Sequence, residues 1–195
     1  MVTKKERLFA VIPAGLEDWV ANRLVRAHIR ILAALVLGHL LNACVVAVTF
    51  YGRVPTLSLV LGCTAVALVG AHRLWLGQGE RKRLSRIGSQ AMVRQLEANT
   101  LALALIASGS LVALMPYGAP AHQLMLAVVG MSLIGAAGYT MRTLPRAAIG
   151  YIAIISVGLM AALLGTGTLT AVATCILIGA SALLLCRMAL TAYTL

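Results

Sequence analysis

GQGERKRLSRIGSQAMVRQLE, residues 77–97, is the one long polar interval in a chain otherwise built from hydrophobic runs. It carries Arg81, Lys82, Arg83, Arg86 and Arg94. Desolvating that many cations is costly, and the anionic lipids of a cytoplasmic leaflet attract them, so the interval belongs on the cytoplasmic side of a membrane. The runs on either side can be oriented from it.

Composition agrees. Of 195 residues, 61% are hydrophobic and 11% charged, and the mean hydropathy is +0.97, outside the range of a water-soluble domain. The apolar material falls into blocks of about 18 to 22 residues, the length a helix needs to cross roughly 30 Å of hydrocarbon. Six blocks fit, at about 31–50, 57–76, 98–115, 123–139, 147–164 and 169–188. The expected fold is an all-α integral membrane protein, a six-transmembrane helix bundle with an N-terminal amphipathic interfacial helix. The net charge of +11 raises the question of nucleic acid. The cations gather at the ends of apolar runs, however, with no basic stripe on a soluble fold, and topology accounts for them without a nucleic-acid partner.

Residues 1–30 hold Lys4, Lys5, Arg7, Arg23, Arg26 and Arg30 and lack the short apolar core and small-residue cleavage site of a signal peptide, so this segment should stay cytoplasmic and uncleaved. Leu16, Trp19, Val20 and Leu24 recur at helical spacing with Glu17, Asp18 and Arg23 on other faces. That pattern reads as a helix lying at the interface, either a coupling or dimerisation element or, with more weight, a solvated lead-in anchored by Trp19 at headgroup depth. Across the whole layout, fifteen of the sixteen Lys and Arg fall in inside segments and only Arg53 lies outside. Both termini are therefore expected in the cytoplasm. Tyr51 and Tyr117 are read as marking the outer edges of an aromatic belt, and Trp75, Tyr139 and Tyr151 the inner ones.

The outer connections YGRVPT, PYGAPAH and GTGT are minimal. FYGRVPTLSLVLG and PYGAPAHQLMLAVVG repeat Tyr-Gly and then Pro before a Leu-rich run, as interfacial turns favour. Small residues mark where helices in lipid can approach closely. Ser132, Ala136 and Thr140 form one such face; Gly158, Ala161, Ala162 and Gly165 a second; Ala171, Cys175 and Gly179 a third. These faces point to close packing of the last three spans, within one chain or between two copies.

No catalytic constellation, paired carboxylate site, Gly-rich phosphate loop or Cys-x-x-Cys spacing occurs in these residues. Cys44, Cys63, Cys175 and Cys186 read as small apolar packing residues, with no metal or cofactor implied. Only His39 is ionisable near the middle of a span, with Asn42 one turn along the same face, and no buried Asp, Glu, Lys or Arg is expected. That lowers the standing of a transporter or channel, the first alternative; a passive anchor or assembly protein is the second. A polar pair in LVLGHLLNACVV must find partners, and Ser108, Ser110 and Ser156 are the candidates. If these five residues enclose a cavity, they form a ligand-binding pocket; if they bond one another, they are structural glue. For His39 itself the weightier reading is a neutral imidazole bonded to a neighbouring helix.

VVGMSLIGAAGYTMRTLPRAAIGYIAIISVGLMAALLG, with the lead-in RLVRAHIRIL and the basic run RKRLSRIGSQ, resembles the multi-pass N-terminal sensor region of bacterial GGDEF and EAL proteins of cyclic-di-GMP signalling. The sharpest matching element is Leu144-Pro145-Arg146-Ala147-Ala148 opening a span. The resemblance covers about residues 16–195 and implies a sensory or regulatory module relaying a signal to a cytoplasmic signalling domain in cis, a diguanylate cyclase or phosphodiesterase after the last span. A cyclase output further implies a homodimer, because two active sites must meet over the substrates. Neither a GGDEF nor an EAL motif occurs in these residues, so the resemblance transfers no catalytic residue and this chain is expected not to be an enzyme.

Overall fold

The structure is a computed structural model that describes residues 16–78, 89–140 and 144–194. Six long helices follow one another: α1 (Leu16–Phe50), α2 (Thr56–Gln78), α3 (Ser89–Leu114), α4 (Pro120–Thr140), α5 (Pro145–Leu164) and α6 (Leu169–Thr194). All six are long and apolar enough to cross a membrane, and no strand occurs among the described residues. Most of the basic interval, with Arg81, Lys82, Arg83 and Arg86, lies outside the described residues, as does Arg142.

The punctuation is set by proline and glycine. Pro120 and Pro145 open α4 and α5, where a missing backbone N–H costs nothing, and Pro55 immediately precedes α2. Pro116 sits in a single 3-10 turn, Met115–Tyr117, that closes α3. Gly52 and Gly167 take positive φ, 74° and 67°, in the two tight turns after α1 and α5, a conformation that side chains resist.

Helix α1 has 35 residues, about 52 Å at 1.5 Å per residue, well over the roughly 30 Å of a hydrocarbon core. The lead-in expected to lie at the interface thus shares one helix with the first span; the side chains of Leu16, Trp19, Val20 and Leu24 fall outside the described residues. Helix α3 reaches back to Ser89, well before the expected start near residue 98. Met92 and Leu96 explain this, because they pack with Leu144 and Ala147 in a small cluster against the start of α5. Arg94 stays exposed on another face, and its charge is what hid the apolar face in a linear reading.

Helix α5 is the axis of the bundle. It packs on α3, α4 and α6, while α1 packs on α2, α3 and α4. Over half of the apolar window of α5, 56%, is buried, against 22% for α1 and 17% for α6. Tyr151, Ile152, Ile155 and Leu159 are fully enclosed, whereas Leu37, Leu41, Val48, Leu183 and Leu184 point outward, as lipid-facing residues must. Tyr151 is therefore a core residue and not an inner-belt marker. Tyr51, Tyr117 and Trp75 are exposed, and the side chain of Tyr139 is not among those described.

The small-residue faces divide. At Gly158 a side chain would run into Ser108 of α3, so this glycine permits a close α3–α5 approach. Ala162, Ala171 and Cys175 are buried, and the Cys175 thiol reaches the Met160 carbonyl at 3.6 Å, joining α6 to α5. Gly165 instead ends α5, its N–H returning to the Ala161 carbonyl. Gly179 has open space where a side chain would be, and Ala161, Ala136 and Ser132 are exposed. Contact in this bundle follows which helices adjoin, and the four-residue spacing alone does not reveal that.

Candidate functional site

His39 lies one turn before Asn42 on α1, and helical geometry turns both toward the interior between α1, α3 and α4. His39 is buried and uses both ring nitrogens: Nδ1 is 2.8 Å from the Leu35 carbonyl and Nε2 is 2.7 Å from the Tyr151 hydroxyl. A carbonyl only accepts, so Nδ1 carries a proton; in the neutral imidazole Nε2 then accepts from the tyrosine. The two rings meet edge to face, with centroids 5.8 Å apart. This bond ties α1 to the central helix.

Arg73 of α2 is fully buried, which overturns the expectation of no intramembrane cation and of Arg73 as part of the inner loop. Helix α2 continues to Gln78, so Arg73 lies inside the bundle and faces α3. Its guanidinium donates to Thr100 Oγ1 at 2.9 Å, and the Thr100 hydroxyl donates in turn to the Leu96 carbonyl at 2.8 Å. Arg73 is also within electrostatic range of His39 and Tyr151. His39, Tyr151, Arg73 and Thr100 thus bring polar groups from α1, α5, α2 and α3 into the interior of an apolar bundle.

Beside this cluster lies a half-open cavity of about 370 Å³ between α1, α2, α3 and α4. Its polar lining is His39, Asn42, Ser58, Cys63 and Ser110; the remainder is apolar, with Leu59, Val66, Leu111 and Leu133 among its walls. Among the described residues, no Asp, Glu, Lys or Arg lines it. The Asn42 amide donates to Ser132 Oγ on α4 at 3.4 Å, a long bond, while the Ser132 hydroxyl donates to the Val129 carbonyl. The Ser110 hydroxyl donates to the Ile106 carbonyl one turn back, and Cys63 directs its thiol at the Ala43 carbonyl at 3.8 Å.

Of the five residues read as pocket candidates, the structure brings His39, Asn42 and Ser110 to one cavity. Ser108 and Ser156 are absent from its lining. Ser108 is in the α3–α5 contact, donating to the Ile154 carbonyl at 3.2 Å. Ser156 is buried on α5, and its hydroxyl has no hydrogen-bond partner among the described residues. Tyr151, Arg73 and Thr100 were missed by sequence reasoning; Arg73 and Tyr151 each sit close enough to a span end to pass for boundary residues. No group of three His, Cys, Asp or Glu able to hold a metal occurs among the described residues. No family model matches the chain, nor does any curated protein or solved structure.

Proposed function

We propose that this chain is a membrane-embedded sensory module that reports occupancy of the α1–α4 cavity to a cytoplasmic output domain following α6, a diguanylate cyclase or phosphodiesterase. The observation that carries this reading is the position of Asn42. Its amide lines the cavity and also holds α1 to α4 through Ser132, so a bound molecule that competes for the amide changes a contact between helices. A ligand shifts a two-state protein only through such differential contacts. Helix α1 supplies the lever: it carries His39 and Asn42 at the cavity and continues as one helix back to Leu16, on the side away from the short turns.

A channel or ion carrier fits the same cavity less well. Ions need charged or densely polar lining to replace their water, and these walls are predominantly apolar without a charged side chain.

The test is a chimera in which α6 is joined in helical register to a cyclase reporter, with cyclic-di-GMP production measured in membranes. Asn42→Leu, which cuts the α1–α4 bond without adding bulk, should change output by about fivefold or more, the low end of ordinary allosteric coupling. Equal output from wild type and Asn42→Leu at equal folded abundance would sink the sensory reading.

A further inference from the structure

The shape and lining of the cavity specify its ligand more narrowly than the sensory role does. We infer that it binds an uncharged amphiphile dissolved in the bilayer, with an apolar body and one hydrogen-bonding head, entering sideways between the helices and placing that head on Asn42. This rests on the same cavity as the proposed function but makes a separate claim about chemistry.

Absence of charge on the walls excludes a charged ligand first. A carboxylate or ammonium moved from water into this cavity would contact no oppositely charged side chain among its described lining residues, and the loss of its water would be poorly compensated. Arg73, buried in the same bundle, donates to Thr100 and is not among the residues lining the cavity.

Hydrogen-bonding capacity then limits the head. Both nitrogens of His39 are engaged, and the Ser110 hydroxyl already donates to the Ile106 carbonyl, so neither offers a free donor in its present geometry. Asn42 retains a second N–H and its carbonyl oxygen, and the single bond its amide makes is the long one to Ser132. Apart from Ser58, exposed in the first turn of α2 beside the α1–α2 turn, Asn42 is where this lining has capacity for a hydroxyl or carbonyl on the ligand. A volume of about 370 Å³ lies near the lower end of the roughly 300–1,000 Å³ typical of small-molecule sites, which limits the body to a short chain or one or two rings.

Exposure gives the route. Leu105 and Gly109 line the cavity and are exposed, and both lie near the middle of the Ala91–Tyr117 span, where the surroundings are hydrocarbon. The entrance thus opens to the bilayer interior. Gly109 also makes the space: a Cβ built there meets nothing within 4 Å, and one built at Gly62 across the cavity meets only Ser110 Oγ, at 3.8 Å. A side chain added at Gly109 enters empty space, so Gly109→Leu narrows the cavity and its entrance while leaving the helix contacts in place.

The experiment uses the full chain in nanodiscs, photolabelled with diazirine-bearing decanol and mapped by mass spectrometry, with decanol, decane, decanoate and decylammonium as competitors. Expected are labels on α1 and α3 around Asn42 and Gly109, competed by decanol about tenfold better than by either charged analogue. Gly109→Leu should reduce labelling about tenfold at unchanged thermal stability, and Asn42→Leu should keep labelling but erase the preference for decanol over decane. Competition by decanoate or decylammonium equal to that of decanol would overturn the inference. So would labelling unaffected by Gly109→Leu, or no labelling at the cavity, the result if a second copy of the chain covers the entrance. The sensory role stands or falls separately: selective decanol binding with an unresponsive reporter chimera upholds the ligand class and removes the sensor, whereas a chimera that responds to Asn42→Leu without selective decanol binding does the reverse.

Discussion

The His39–Tyr151 bond is where residue chemistry and helix arrangement meet, and its strength can be bracketed. Removing one partner of a buried hydrogen bond in a water-soluble protein costs about 1–3 kcal/mol. Hydrogen bonds between membrane helices average only about 0.6 kcal/mol, because the separated helices also find partners within lipid. Tyr151→Phe leaves Nε2 of the buried His39 facing a ring edge without its donor, so a cost of about 1–2 kcal/mol is expected, between the two. His39→Leu removes the other partner, and the double variant should cost less than the sum of the singles. Unfolding in mixed micelles measures this, and strict additivity would show that the bond contributes nothing. His39 and Asn42 were legible in the sequence because polar residues stand out in an apolar run. Their partners were not. Tyr151 resembled a belt tyrosine and Arg73 a boundary cation because both lie near a span end, and sequence position does not tell a snorkelling side chain from one turned inward.

Helices themselves were plain from length and hydropathy, but their ranking was hidden. The windows of α1, α5 and α6 have nearly equal mean hydropathy, 2.4, 2.3 and 2.3, although α5 is the axis and α6 is mostly peripheral. In water a buried helix differs from a surface one by its apolar content, whereas in lipid both surroundings are apolar and the distinction passes to small residues and polar pairs. Two glycines on adjacent helices show how far structure is needed. Gly109 on α3 faces open space, while a side chain at Gly158 on α5 collides with Ser108. Gly109→Leu should therefore be neutral or slightly stabilising, since Gly is about 1 kcal/mol worse than other residues inside a helix. Gly158→Leu should lose about 2–3 kcal/mol or more through overpacking at the α3–α5 contact. Thermal unfolding of both variants in one detergent decides it, and equal midpoints would mean that α3 and α5 do not approach as described.

For the whole molecule the open quantity is orientation, which follows from charge and not from packing. The short turns after α1, α3 and α5 carry Arg53 as their only Lys or Arg, and the opposite ends of the helices hold the other fifteen cations. Each cation held on the cytoplasmic face interacts with anionic lipid by about 1 kcal/mol, and moving the basic interval across would forfeit several such contacts at once. The bundle should therefore sit with its short turns outside and both ends of the chain in the cytoplasm. Single-cysteine labelling of intact cells with a membrane-impermeant maleimide tests this. The four native cysteines lie within the spans, where a charged reagent does not reach, so the parent chain serves as the blank. Ala119→Cys and Thr168→Cys, at exposed positions in two outer turns, should label in intact cells. Ser85→Cys in the basic interval and Thr194→Cys after the last span should label only once the cells are opened. The reverse pattern would invert the molecule, place an output domain joined after α6 outside the cytoplasm, and so remove the signalling reading along with the topology.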